Sequence, residues 1–190
     1  ELLLAEKDGA LVGLWMKGQK YFMGALQEGT EQGDDSPVLK QAGQWLDRYF
    51  RREKPLISEL PLAPVGSVFR REVWDILCQI PYGQVTTYGE IAQQMAAKRG
   101  LERMSAQAVG GAVGHNPISI IIPCHRVVGA TGSLTGYAGG IDRKLRLLRR
   151  ILLCVFRVEA GFQFLVSILQ QRHVPLDTAL AGMATYSANP

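Results

Sequence analysis

The 190-residue chain reads as two units in series, a small α/β unit made of a sheet and one covering helix, then a mainly helical unit. Three observations carry this reading. Two short apolar runs flank an Asp-Gly pair near the start. Pro55, Pro61 and Pro64 crowd into ten residues, a density that resists both helix and central strand. Beyond them, amphipathic segments open on capping residues and are separated by short connectors.

In chain order, Leu2 to Ala5 and Leu11 to Trp15 predict a β-hairpin closed by Asp8-Gly9. Ser36-Pro37 supplies an N-cap and a first-turn proline, so a helix follows, with Leu39, Ala42, Leu46, Tyr49 and Phe50 as its apolar stripe. The proline cluster then marks a linker, with the boundary near Val65. Ser67 to Ile80 is helical by the spacing of Phe69, Val73, Ile76, Leu77 and Ile80, and Cys78 sits there as a small packing residue. Thr87-Tyr-Gly-Glu90 has the spacing of a capping box that opens a helix through Met95, and another helix begins at Ser105. Helix, short basic connector, helix is the outline of a helix-turn-helix, which many proteins adopt without touching DNA.

Composition is that of an ordinary globular protein, 47% hydrophobic and 20% charged, which excludes collagen-like, low-complexity and coiled-coil classes. Residues 1–60 hold 8 basic and 10 acidic side chains, whereas residues 61–190 hold 13 and 7, an excess of +6. That excess suits a polyanion such as DNA, and suits a plain solvated face equally. Three widely spaced cysteines, Cys78, Cys124 and Cys154, fit neither a disulfide framework nor a zinc site and point to a reducing, cytoplasmic setting. The opening Glu1 to Glu6 is too short and acidic for a signal peptide.

Two segments carry chemistry. The helix from Ser105 contains Gly110, Gly111 and Gly114, each costing about 1 kcal/mol relative to Ala. Such a smooth surface admits another backbone, either a packed helix or a nucleic-acid groove. Further on, Ile118 to Ile122 is a β-branched run bounded by prolines and reads as a buried strand, with Cys124 just beyond its end beside His125 and Arg126. On an extended chain neighbouring side chains diverge, so His125 reaches the thiol only through a turn or a water. The residues leave open whether Cys124 is a nucleophile, and whether Arg126 is a phosphate contact or half of an ion pair.

Pro123-Cys-His-Arg-Val127 resembles the active-site motif of the O6-alkylguanine-DNA alkyltransferases, also called methylated-DNA–protein-cysteine methyltransferases. Further segments match in the same order: Phe69 to Trp74, Ile80-Pro-Tyr-Gly83 with Tyr88, Ala108-Val-Gly-Gly-Ala112, Asn116-Pro117, Gly132-Ser133 and Gly136-Tyr-Ala-Gly-Gly140. The resemblance runs from about Leu3 to Leu148. It implies a ribonuclease-H-like α/β domain over residues 1–64 and a winged-helix-like DNA-binding domain over 65–150 that holds the active site. The implied partner is double-stranded DNA containing O6-alkylguanine, or O4-alkylthymine, with no cofactor, no metal and no membrane, and the protein acts as a monomer. The implied reaction is direct transfer of the alkyl group to Cys124, once per molecule. His125 relays a proton through water, Asn116 hinges groove helix and active-site segment, and Tyr88 contacts the phosphate beside the flipped base and gives a proton to the guanine. Gln107, Ala108, Gly110 and Gly111 face DNA; Val127, Tyr137 and Gly139 line the base pocket.

Two positions depart from the pattern. Gln107 stands where many members carry an arginine, so weaker DNA binding is expected. Ile151 stands where the family usually has a glutamate that orients the histidine, so reduced activity is expected. Residues 151–190 form an atypical tail, very apolar from Ile151 to Gln170, yet Arg157 and Glu159 would each cost roughly 2.5 kcal/mol or more in a bilayer. The alternatives are an alkyltransferase-like protein that flips damaged guanine without repairing it, and a winged-helix regulator; the latter lacks long polar side chains on its groove helix.

Overall fold

The computed structural model describes residues 1–24, 26, 33 and 36–152. The tail beyond Leu152 and Cys154 lie outside the described residues.

Strands β1 (Leu2–Lys7) and β2 (Ala10–Met16) pair antiparallel, Leu2 opposite Met16 and Lys7 opposite Ala10, with an irregularity between Ala5 and Glu6. Asp8 and Gly9 both take positive φ, 53° and 77°, the backbone of a two-residue turn whose twist matches the strands. Helix α1 (Pro37–Phe50) starts where Ser36 Oγ accepts the Leu39 N–H at 3.4 Å. It lays Ala42, Trp45, Leu46 and Tyr49 into the core, packing on both strands. Trp45 joins the expected stripe because its indole N–H reaches the Leu56 carbonyl at 2.8 Å.

The proline cluster is not a free connector. Leu62 bridges Leu11 in parallel, with the Leu11 N–H donating to Pro61 O at 2.8 Å and the Ala63 N–H to Leu11 O at 2.9 Å. Three residues farther along β2, the Leu14 N–H donates to Pro117 O at 2.9 Å and Leu14 O accepts from Ser119 at 2.8 Å. One edge of the hairpin thus holds both the segment that leaves the first unit and the segment that leads to Cys124.

The remaining chain is helical: α2 (Val68–Cys78), α3 (Tyr88–Lys98), α4 (Ala106–Gly114) and α5 (Ile141–Leu152). Ser67, Thr87 and Ser105 cap the first three, and Thr87 and Glu90 form the full reciprocal box. Helices α2, α3 and α4 pack on one another, and a two-residue parallel pair joins β3 (Thr86–Thr87) to β4 (Val127–Val128). A single core runs through both halves, from Leu11 and Leu14 through Trp74, Leu77, Ile91 and Val109 to Ile121, Leu148 and Ile151. Among the described residues no helix is long and apolar enough to cross a membrane.

The expected strand over Ile118 to Ile122 is absent. Only Ile118 bridges β2; Ile120 sits at φ 70°, and the Ile122 N–H turns back to Ile118 O at 3.1 Å. The cause is Asn116, whose amide takes the backbone groups that a neighbouring strand would otherwise pair. Its Nδ2 donates to Ile118 O (3.3 Å) and Ile122 O (2.9 Å), and its Oδ1 accepts the Ile118 N–H at 3.0 Å. A short run dominated by isoleucine fits a buried turn as well as a buried strand, so its composition cannot distinguish them.

Candidate active site

Cys124 begins a 3-10 turn, Cys124–Arg126, rather than following a strand end. The turn closes the angle between neighbouring side chains and buries all three. Cys124 is 4% exposed, and Asn116 Nδ2 donates to its Sγ at 3.0 Å. Burial pushes the thiol up, while the Asn116 amide and then the Lys144 ammonium pull it back toward the thiolate. The side chain that shapes the loop therefore also touches the sulfur, and Asn116 and Cys124 form one unit.

His125 is fully buried, with Nε2 3.0 Å from Tyr49 Oη of α1. Burial, reinforced by the positive charges of Arg126 and Lys144, holds the imidazole well below 6.5, so the ring is neutral at physiological pH. Among the described residues Arg126 forms no ion pair with a carboxylate. It is buried, donates to Ile80 O at 2.7 Å and lies 5.3 Å from the centre of the Tyr82 ring.

Lys144 was not singled out by sequence, and it is 0% exposed. Its Nζ lies 3.4 Å from Thr135 O and 5.9 Å from the ring centres of both Tyr88 and Tyr137. Burial pulls the amine from 10.5 to about 8, against the opposing attraction of Cys124. A signal was present: on α5, Lys144 falls between Ile141 and Leu148 at helical spacing, on the apolar stripe where a lysine needs a reason.

Tyr88, Tyr137 and Gly139 surround this lysine in different ways. Tyr88 Oη donates to Thr135 O at 2.8 Å, and burial pushes the phenol to about 12. Gly136, at φ 80°, admits that hydroxyl, since a Cβ there would stand 2.9 Å from it. Tyr137 Oη is buried with no partner among the described residues, its titration pushed well above 10 by burial and then by Cys124. A Cβ on Gly139 would lie 2.5 Å from Met16 Cε and 2.6 Å from the Tyr137 ring, so this glycine lets the tyrosine fold against the hairpin. Val127 is buried on β4, paired with Thr86.

On α4, Gln107, Ala108 and Gly111 are exposed, Gly110 is half-buried, and Val109, Ala112 and Val113 face the core. A Cβ on Gly111 would meet nothing within 4 Å, and on Gly110 and Gly114 only ordinary contacts at 3.8 and 3.7 Å. Among the described residues, therefore, nothing packs closely enough on this face to require these glycines.

The helix pair α3–α4 thus presents a smooth exposed face, and the same unit holds a buried, hydrogen-bonded thiol. Residues 1–64 match the ribonuclease-like domain of 6-O-methylguanine DNA methyltransferase, and residues 68–150 match the DNA-binding domain of the same family. The chain is 45% identical over 150 residues to a methylated-DNA–protein-cysteine methyltransferase of Mycolicibacterium paratuberculosis, covering 77% of this chain and 83% of that one. The Haemophilus influenzae protein of the same name is 43% identical over 116 residues, 61% of this chain and 62% of the relative. Among solved structures, Mycobacterium tuberculosis OGT in complex with DNA aligns at TM-score 0.66 with 39% identity, over 86% of this chain and 92% of that one. The chain belongs to the 6-O-methylguanine-DNA methyltransferase family.

Proposed function

We propose that the protein repairs DNA by moving the alkyl group from O6 of guanine to Cys124, one group per molecule. The observation that carries this reading is the sulfur itself, 4% exposed, held by Asn116 at 3.0 Å and influenced by a fully buried lysine. A thiol so enclosed is out of reach of a base still stacked in a duplex, so the substrate base is flipped into the site. The glycine-rich face of α4, with Gln107, Ala108, Gly110 and Gly111, enters the groove, and the basic surplus of the second half supplies phosphate attraction.

In the reactive form the thiolate faces the Lys144 ammonium. The S–C bond forms as the C–O6 bond breaks, the electron pair passes to the guanine, and the base is protonated as it leaves. Tyr88 and Tyr137 bring the two phenols nearest to Lys144, and Tyr88 is the donor we assign to the base; Val127 and Gly139 shape the pocket wall. The thioether has no return path, which makes the transfer stoichiometric. The cytoplasm, where thiols such as Cys78 and Cys124 stay reduced, is the compartment that suits it.

Intact-mass measurement before and after incubation with a duplex containing O6-methylguanine tests this directly. One methyl increment on the Cys124 peptide, absent in Cys124→Ala, is expected. Damage-selective binding with no increment would replace the reading with a recognition protein that does not repair.

A further inference from the structure

Among the described residues, no acid contacts His125. The α5 position at which the resemblance expects a carboxylate holds Ile151, fully buried in the core. Helix α5 packs on the turn that carries His125, and its last turn is fixed to α1 where Arg150 Nε donates to Phe50 O at 3.0 Å. That contact brings the end of α1 to the histidine. Tyr49, 1% exposed, lies there with its hydroxyl 3.0 Å from Nε2. Its ring is clamped by Trp45 at 5.3 Å, Phe50 at 5.5 Å and Tyr82 at 5.8 Å, so the hydroxyl has a fixed direction.

We propose that Tyr49 is a positioning residue for His125, donating its phenol proton to Nε2 and so holding the imidazole as the Nδ1–H tautomer. Donor counting sets the direction. The Arg126 guanidinium interacts with the same phenol, and a guanidinium offers only N–H donors. Of the two neighbours, only the imidazole can accept the phenol proton. A phenol kept protonated by burial, at about 12, remains a donor throughout the working range. The polarity is opposite to that of a carboxylate, which accepts an N–H and fixes the other tautomer. Nδ1, which has no partner among the described residues, then carries the ring proton. A residue from the first 64 thereby becomes part of the site.

This rests on the repair reading only for its kinetic arm; the tautomer is measured without any reaction. Long-range proton–nitrogen correlation on the full chain with 15N-histidine, assigned by the signals lost in His125→Gln, reports which ring nitrogen is protonated. Nδ1–H is expected in the parent, with a mixture of tautomers or a switch to Nε2–H in Tyr49→Phe, which keeps the clamped ring. Single-turnover methyl transfer is expected to slow about tenfold in Tyr49→Phe, the scale of one lost buried hydrogen bond. Affinity for the O6-methylguanine duplex, compared in the Cys124→Ala background, stays unchanged. An Nε2–H signal in the parent, or an unaltered tautomer in Tyr49→Phe, overturns the proposal. A parent that transfers no methyl overturns the repair reading and leaves the nitrogen spectrum to decide the role of Tyr49.

Discussion

Replacing Lys144 by methionine is expected to make the protein more stable and less reactive at once. The lysine is fully buried, and its amine titrates at about 8 instead of 10.5. That displacement corresponds to ~3 kcal/mol spent holding the charged form in the fold. Because the folded pKa is the lower one, the penalty is complete below pH 8 and disappears as pH rises through 10.5. Methionine has nearly the same length and no charge, and it forfeits only the 3.4 Å bond to Thr135 O and two long ring contacts. A gain of about 1–3 kcal/mol at pH 7 follows, a rise in Tm of about 3–10 °C for a chain of this size. The thiolate meanwhile loses its nearby cation. An opposite charge lowers a pKa by about 1–3 units, so methyl transfer at pH 7 slows by about ten- to a thousandfold. Thermal melts at pH 7 and 10 and single-turnover kinetics check both limbs: the gain in Tm over the parent shrinks at the higher pH. A lower Tm at pH 7, or transfer at the parent's rate, would refute the reasoning.

Acid should destabilise the protein earlier than its carboxylates alone would. His125 titrates well below its unfolded value of 6.5, so the stability it confers is lost as pH falls from 6.5 toward its folded value, at ~1.4 kcal/mol per pH unit. Glu59, Glu72 and Glu90, all held below 4.5 by hydrogen bonds, act lower down. Urea midpoints that stay flat between pH 6.5 and 5 would contradict a buried neutral imidazole. Gly111→Leu should raise thermal stability, by about 0.5–1 kcal/mol of helix propensity at a site with open space, while weakening duplex binding more than tenfold by blocking the groove face. Calorimetry with fluorescence anisotropy reads the two effects; tighter or unchanged binding would remove α4 from the interface.

What the sequence disclosed was local. The Asp8-Gly9 turn and the caps at Ser36, Ser67, Thr87 and Ser105 are satisfied within four residues, so the pattern and the structure agree. The motif around Cys124 was equally legible, and Asn116 proved to touch the sulfur. The missed features arise from contacts that no periodic pattern marks, some of them local and others distant. The turn through Ile120 depends on one amide satisfying four partners, and the docking of Leu62 depends on an edge of β2 lying open. Tyr49 lay on the expected apolar stripe, where a phenol passes for ordinary core. Its contact with His125, 76 residues away, has no local signature.

The charges at the site account for much of its chemistry. Cys124, His125, Arg126 and Lys144 perturb one another, yet among the described residues no carboxylate figures among the causes of their shifts. Two buried cations without an acid would ordinarily be a defect in a core. On the proposed reading, the missing negative charge is that of the Cys124 thiolate in its reactive form. The neutral imidazole adds no competing positive charge, and the phenol that holds it adds no negative one. Lys144 is left as the cation within reach of the thiolate and Asn116 as its direct hydrogen-bond donor. On that reading the charges of the described site come closest to balance when Cys124 is ionised. In the proposed reaction, conversion of that sulfur to a neutral thioether removes the charge that attracts the Lys144 ammonium, so stability and reactivity draw on the same atom.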